Sequence, residues 1–341
     1  MTKTAWLSKE LTNGKILCQA CAHACKLGEG QYGICDVRKV KNGELKLLVY
    51  GLVAAANIDP IEKKPLFHVL PQSSVLSIGT VGCNFKCSFC QNHTISQYPQ
   101  EHNHNIFGDE YSPEFIVKSA LENNCKSIAY TYNEPIIFFE YTYDIAELAH
   151  KNGLKNIYVT SGYETKKAID LLAPYIDAMN IDIKSFNDKF YQELCCAKLK
   201  PVLECVKYAY SKGIWCEITT LLIPTKNDSD EEIREIAQFI YDISPTIPWH
   251  ISAFHPTYKL TDINRTPIST LHRAYKIGLD VGLKYVYVGN IDDEDCESTY
   301  CPKCKEKVIN RCGNIGQHVM NKLGKNGTCK NCGYKIDGIW N

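Results

Sequence analysis

The sequence predicts an α/β protein built as a partial or complete parallel β/α barrel of the TIM-like type, with small cysteine-rich, metal-binding modules at both ends. Three observations carry this expectation. Short β-type runs alternate with helical patterns from about residue 74 to residue 289. Eighteen cysteines fall largely into three tight groups. The flanking segments 1–73 and 290–341 break the alternation, and each holds one cysteine group.

The strand-like runs are residues 75–78, 127–130, 156–159, 178–183, 215–219, 250–253 and 285–288, with turn residues such as Gly153, Gly213 and Gly282 between them. Ser112-Pro113-Glu114 reads as an N-cap, an N1 proline and a first-turn acid. The helix it opens is expected to carry Phe115, Ile116, Ala120 and Leu121 on one face. Asp228-Ser229-Asp230-Glu231-Glu232 likewise precedes Ile233, Ile236, Ala237 and Ile240. Six or seven such units favour a barrel over a flat doubly wound sheet, although strand order is not written in a single sequence.

Composition excludes several classes. Lys and Arg total 38, Asp and Glu total 38, so the chain is no polycation that coats nucleic acid or acidic membrane. With 45% hydrophobic and 22% charged residues it has the makings of a sizeable core. No apolar run approaches the ~20 residues a bilayer needs, and the first residues lack the apolar stretch of a signal peptide. The expected location is cytoplasmic. Without an export signal, the cysteines read as metal or cluster ligands rather than disulfides.

The central group, Cys83, Cys87 and Cys90, follows the first strand of the alternating region, at the end of a β/α barrel where cofactors are handled. Three thiolates are one fewer than a closed tetrahedral or cubane site takes, which leaves one iron of a cubane open to a small molecule. The competing readings are three unrelated buried thiols, or a zinc site completed by His93. The Cys-x3-Cys-x2-Cys spacing, with Phe89 before the last cysteine, resembles the radical S-adenosylmethionine (SAM) superfamily. That resemblance implies a [4Fe–4S] cluster on these three residues, with SAM on the open iron.

Later motifs follow the order seen in enzymes similar to pyruvate formate-lyase activating enzyme. Tyr132, Asn133 and Glu134, within Thr131-Tyr132-Asn133-Glu134-Pro135, take the place of the segment that holds the amino group of the methionine moiety; Tyr132 and Asn133 stand where the family carries glycines. By the same likeness Ser161, Asp182 and Lys184 hold ribose and carboxylate, and His255 lies near the adenosyl group. Ordinary structural readings compete: an ion pair for Asp182 and Lys184 at alternate strand positions, a helix N-terminal acid for Glu134, and a core histidine for His255.

Nearly the whole chain resembles the radical SAM enzyme of the AmmeMemoRadiSam system. The match rests on Cys-x2-Cys-x-His-x-Cys at 18–25, Gly33-Ile34-Cys35-Asp36-Val37-Arg38, the segment 59–68 and Tyr130-Thr131-Tyr132-Asn133-Glu134-Pro135. The resemblance suggests Memo-like and AMME-candidate-like proteins as partners, together with a reducing electron donor, and supplies no substrate. The terminal modules read separately. Cys301, Cys304, Cys329 and Cys332 form two C-x2-C knuckles with 24 residues between them, the pattern of a zinc ribbon or rubredoxin-like site. Cys18, Cys21, Cys25 and Cys35 fit zinc, with His23 as a competing ligand, or a second iron–sulfur cluster; the lean is to zinc. Residues 59–68 read as a connector.

The sequence thus points to an enzyme of three parts, 1–73, 74–289 and 290–341, that cleaves SAM reductively and takes hydrogen from an unidentified substrate, a partner protein being one candidate. The alternatives are a glycyl-radical-enzyme activase and a non-catalytic iron–sulfur electron-transfer or zinc-ribbon binding protein. The basic tail carries eight Lys or Arg against two acids from Cys301 onward but has few interleaved aromatics, which argues against nucleic acid as partner.

Overall fold

The computed structural model describes residues 2–313 and 318–341. Eight strands make one central sheet: β1 (Ala55–Pro60), β2 (Ser74–Gly79), β3 (Ser127–Tyr130), β4 (Lys155–Thr160), β5 (Ala178–Asp182), β6 (Trp215–Leu222), β7 (Trp249–Ala253) and β8 (Val286–Gly289). They lie side by side in chain order, without the reversal that marks a doubly wound sheet. β1 runs antiparallel to β2 and every later pair is parallel. β1 and β8 do not pair with one another, so the barrel is partial and open.

Six helices of at least seven residues accompany the parallel strands: α1 (Pro113–Glu122), α2 (Phe139–Lys151), α3 (Lys166–Leu172), α4 (Leu199–Ser211), α5 (Asp230–Ile243) and α6 (Ile268–Val281). The expected caps form: Ser112 Oγ accepts from Phe115 N–H and Ser229 Oγ from Glu232 N–H, each at 3.2 Å. The inner face of α1 differs from expectation. Ile116, Val117 and Ala120 are buried, while Phe115 and Leu121 are exposed. Phe115 stacks on Tyr111 outside the core instead, with ring centroids 4.7 Å apart. No helix among the described residues is long and apolar enough to cross a membrane.

Residues 59–68, expected to be a connector, end β1 and then enter the barrel. Ile61, Leu66 and Val69 pack against Val75, Ala129, Ile157 and Ala178 near the N-terminal ends of β2 to β5, closing that end with apolar surface. The two-residue period of a strand then decides what lies above. Two positions on from Ala178 is Asn180, whose amide donates to Pro65 O at 2.8 Å. Two on from Trp215 is Glu217, whose carboxylate accepts from Phe67 N–H, His68 N–H, Trp215 Nε1 and His250 Nε2 at 2.6–3.0 Å. The next positions, Asp182 and Thr219, reach the other end of the barrel.

The C-terminal module packs against this plug and against β8. Arg311, buried, donates to Phe67 O at 2.7 Å, His68 reaches both Asp337 O and Tyr287 Oη at 2.6 Å, and Ile339 exchanges backbone hydrogen bonds with His68 and Leu70. Its cysteines share an apolar cluster with Phe67, Tyr285 and Tyr287. The N-terminal module is not an isolated appendage: Leu7, Cys18, Cys21, Cys35 and Val37 belong to the same core as the barrel helices. A buried, two-pronged pair from Arg38 to Glu140 ties it to α2.

Burial alone would raise the Glu217 carboxyl, but hydrogen bonds from His250 and its other donors hold it below the usual carboxylate range. A carboxylate lowered on folding contributes stability that is present above its unfolded value and is lost as pH falls through its folded value. Glu217→Gln is expected to cost about 3 kcal/mol at neutral pH, measured by urea denaturation, and to remove part of the acid-induced loss seen below about pH 4.5.

Candidate active site

The Cys83–Cys90 loop has no regular structure of its own and is held by its neighbours. Lys86 N–H and Ser88 N–H donate to the carbonyls of Cys195 and Leu194, both at 2.9 Å. Asn133 Nδ2 donates to Gly82 O at 2.8 Å, Gln97 Nε2 to Phe85 O at 3.1 Å, and His23 Nε2 lies 2.8 Å from Asn84 O. Gly82 has φ +90°, and a Cβ there would stand 2.7 Å from both Cys35 O and Val37 Cγ1. Only glycine lets the loop turn that close to the N-terminal module.

The three cysteines face a cavity of about 310 Å³ at the C-terminal end of the barrel. Phe89, Tyr132, Asn133, Ser161, Asp182 and Lys184 line it with them. Lys184 Nζ lies 2.7 Å from Asp182 Oδ2; burial disfavours its charge, but Asp182 and the cysteines nearby keep it well above the usual lysine range. The Cys195 thiol as hydrogen-bond partner, with help from Lys184, holds Cys87 below the ordinary thiol range, whereas burial raises Cys83 and Cys90. Tyr132 adopts the left-handed conformation, φ +71°, that glycine favours. Its hydroxyl engages Asn57 and Asp59.

Two expected site residues lie elsewhere. Glu134 is fully buried and outside the cavity lining. Its carboxylate accepts from Ser161 N–H at 2.8 Å, and Thr160 Oγ1 stands 2.8 Å away, so its hydrogen-bonding capacity is spent inside the protein. His255 is exposed and also outside the lining, because Phe254 turns inward to bond Thr266 and the next residue emerges at the rim. His93, considered as a fourth ligand, stacks on Tyr258 at 4.5 Å between ring centroids.

Gln97, Leu221 and Asn290 line the cavity without a sequence signal, and Lys63, Thr219 and Ser252, which lie in runs legible in the sequence, join them with no role expected of them. The period of two in β6 could have found Thr219 and Leu221, which share a face with Glu217. A second, smaller cavity of about 90 Å³ shares Lys63, Pro65, Ser252 and Asn290 with the first and ends on Glu62, Glu297 and Arg311. Glu62 Oε2 and Arg311 Nε are buried without hydrogen-bond partners.

Sulfur spacing separates the cysteine groups. Among the described residues, two sets of three or more ligating side chains bring their ligand atoms within 4.8 Å of one another: Cys301, Cys304, Cys329 and Cys332, and His272, Asp293 and Cys296. In the first, Cys301 and Cys332 stand 3.6 Å apart and Cys304 and Cys329 3.7 Å, a set able to hold a metal ion. The second is a helix cap, with Asp293 accepting from Cys296 N–H and pairing with His272. Cys83, Cys87 and Cys90 are spread more widely.

A strand-end cysteine triad thus shares one cavity with the part-buried Asp182–Lys184 pair, on an open parallel barrel. The Radical SAM superfamily model matches residues 77–240. The chain is 43% identical to an uncharacterized protein of Methanocaldococcus jannaschii over 98% of its own length and 99% of that protein's. It is 28% identical to a putative glycyl-radical enzyme activating enzyme of the same organism, over 53% of this chain and 68% of the relative. Among solved structures, a radical SAM methyltransferase from Sphaerobacter thermophilus superposes with TM-score 0.51 at 18% identity, covering 64% of this chain and 67% of that one, which supports the fold. The chain belongs to the radical SAM superfamily, which implies a [4Fe–4S] cluster and SAM. The residues fit both: three sulfurs too widely spaced for one ion, opening on a cavity with charges of both signs.

Burial, and next the neighbouring Glu164 carboxyl, push Glu134 well above the carboxylate range, and Thr160 Oγ1 lies 2.5 Å from Glu164 Oε1. An acid raised on folding loses stability as pH climbs from its unfolded toward its folded value. Glu164→Gln removes the second acid. The fall in unfolding free energy as pH rises above the unfolded carboxylate value of about 4.5 is expected to be smaller in the variant, read from urea midpoints.

Proposed function

We propose that the protein is a cytoplasmic radical SAM enzyme of the activating-enzyme type, with a protein as its substrate. In this reading Cys83, Cys87 and Cys90 would anchor the cluster, with SAM bound beside it in the same cavity. When bound, the cluster and SAM would supply reductive one-electron cleavage chemistry, the electron coming from a low-potential donor and a hydrogen atom being taken from a substrate C–H bond.

The chain's own residues bind, orient and shield. Lys184, neutralised on one side by Asp182, offers a cation to the SAM carboxylate, and Asp182 and Ser161 offer acceptors to ribose hydroxyls. Asn133 positions the cluster loop through Gly82, and Glu134 positions Ser161. The apolar plug of Ile61, Leu66 and Val69 keeps water from entering through the far end of the barrel. The second cavity receives the reacting group of the substrate, where the unpartnered Glu62 oxygen and Arg311 nitrogen suit a group with both a donor and an acceptor, as a peptide amide has. Memo-like and AMME-candidate-like proteins are the partners that the whole-chain resemblance names. Cys301, Cys304, Cys329 and Cys332 hold zinc, whose bonds of about 2.3 Å set tetrahedral thiolates about 3.8 Å apart.

The observation that carries this reading is the shared lining: three cysteines and the Asp182–Lys184 pair on one cavity. Anaerobically reconstituted protein, reduced with dithionite, is expected to convert SAM to 5′-deoxyadenosine, measured by chromatography. Cys87→Ala should abolish the product, and Lys184→Met should weaken SAM binding about tenfold or more while iron content stays unchanged. Reductive cleavage that survives in Cys87→Ala would remove the cluster from these residues.

A further inference from the structure

Spacing in the sequence favours neither zinc nor a cluster for the N-terminal cysteines, with the lean to zinc, and the tertiary structure adds the geometry. Cys18, Cys21, Cys25 and Cys35 all line one small apolar pocket, with Ile136, Ile137 and Arg38 completing its wall. Three of them are buried and Cys25 is half-buried. Yet no three of their sulfurs lie within 4.8 Å of one another, although the same chain draws its C-terminal four together to 3.6–3.7 Å for the two pairs measured. One tetrahedral ion needs thiolates about 3.8 Å apart. A cubane, in which each thiolate binds a different iron, holds them about 6 Å apart. Cys83, Cys87 and Cys90 likewise do not all come within 4.8 Å of one another.

Second observations point to a sulfur-rich ligand and to its task. The Asn84 side chain is fully buried, and its Nδ2 has no hydrogen-bond partner. It lies beside Cys21, while Cys83 Sγ stands 3.8 Å from Asn84 Oδ1. One side chain therefore touches both cysteine groups. His23, between Cys21 and Cys25 in sequence, has its Nε2 2.8 Å from Asn84 O and packs on Tyr163, and among the described residues no set of three ligand atoms within 4.8 Å includes it. The Cys35 carbonyl presses on Gly82, next to Cys83. Arg38 lines the same pocket, with its guanidinium paired to Glu140.

We propose that Cys18, Cys21, Cys25 and Cys35 hold a second iron–sulfur cluster of the cubane type, which passes single electrons to the catalytic cluster across Asn84. A low-potential one-electron donor reduces the outer cluster by one electron; that electron then moves inward, reducing the inner cluster and reoxidising the outer, with no bond made or broken. The cluster itself is independent of the proposed SAM chemistry, and the relay rests on it.

The test uses the full chain with Cys83, Cys87 and Cys90 all changed to Ala, reconstituted anaerobically with iron and sulfide. It is expected to retain about four iron and four sulfide per chain and to show an S = 1/2 EPR signal on reduction with dithionite. About one zinc should remain from the C-terminal set. Adding Cys25→Ala, at the least buried of the four, should remove that signal and the iron. About two zinc and no iron in the triple variant, with SAM still cleaved by the unaltered protein, would overturn the second cluster and leave the proposed function standing. Loss of SAM cleavage in the unaltered protein with the EPR signal retained in the triple variant would do the reverse. For the relay, Asn84→Leu should keep the iron content and slow reduction of the inner cluster about tenfold in stopped-flow measurements. An unchanged rate would overturn it.

Discussion

The site depends on keeping a bare loop rigid. The residues between Cys83 and Cys90 make no helix or strand, so their backbone groups must be satisfied from outside. Carbonyls of Leu194 and Cys195, the side chains of Asn133 and Gln97, and the ring of His23 do this from four separate parts of the chain. Each bond is worth only about 1 kcal/mol net. Together they fix where the three sulfurs stand, and every other feature of the site is arranged relative to those sulfurs.

The barrel interior is graded along its axis. Apolar residues from the 61–69 segment close one end, a middle layer holds the hydrogen-bonded side chains of Asn180, Glu217 and His250, and charged groups appear at the open mouth. A strand's two-residue period makes such layers natural, because successive inward positions climb the barrel. The C-terminal module matters here as a brace. Arg311, Asp337 and Ile339 hold Phe67, His68 and Leu70, so the module fixes the plug as well as packing beside β8.

One residue type serves three environments. Four C-terminal sulfurs converge as for one ion, three central sulfurs stand apart around a cavity, and the scattered Cys125, Cys205 and Cys216 are simply buried. Cys195 belongs to none of these groups in sequence, yet it sits beside Cys87 and its carbonyl clamps the loop. Thiol chemistry is set by distance and company rather than by motif.

Local rules made much of this protein legible in its sequence. All seven strands expected from 75 to 288 exist within a residue or so, except that β6 runs on to Leu222, and Ser112 and Ser229 cap their helices, because alternation and capping are decided within a few residues. The cysteine triad could be read because its ligands are neighbours in the chain. Tertiary packing decided what local pattern could not. It turned Phe115 outward, drew 59–68 into the barrel, buried Glu134 and left His255 at the rim. It also set the sulfur separations. Those separations depend on segments far apart in sequence meeting at one place, and spacing along a chain says which side chains can meet but not how far apart they come to rest.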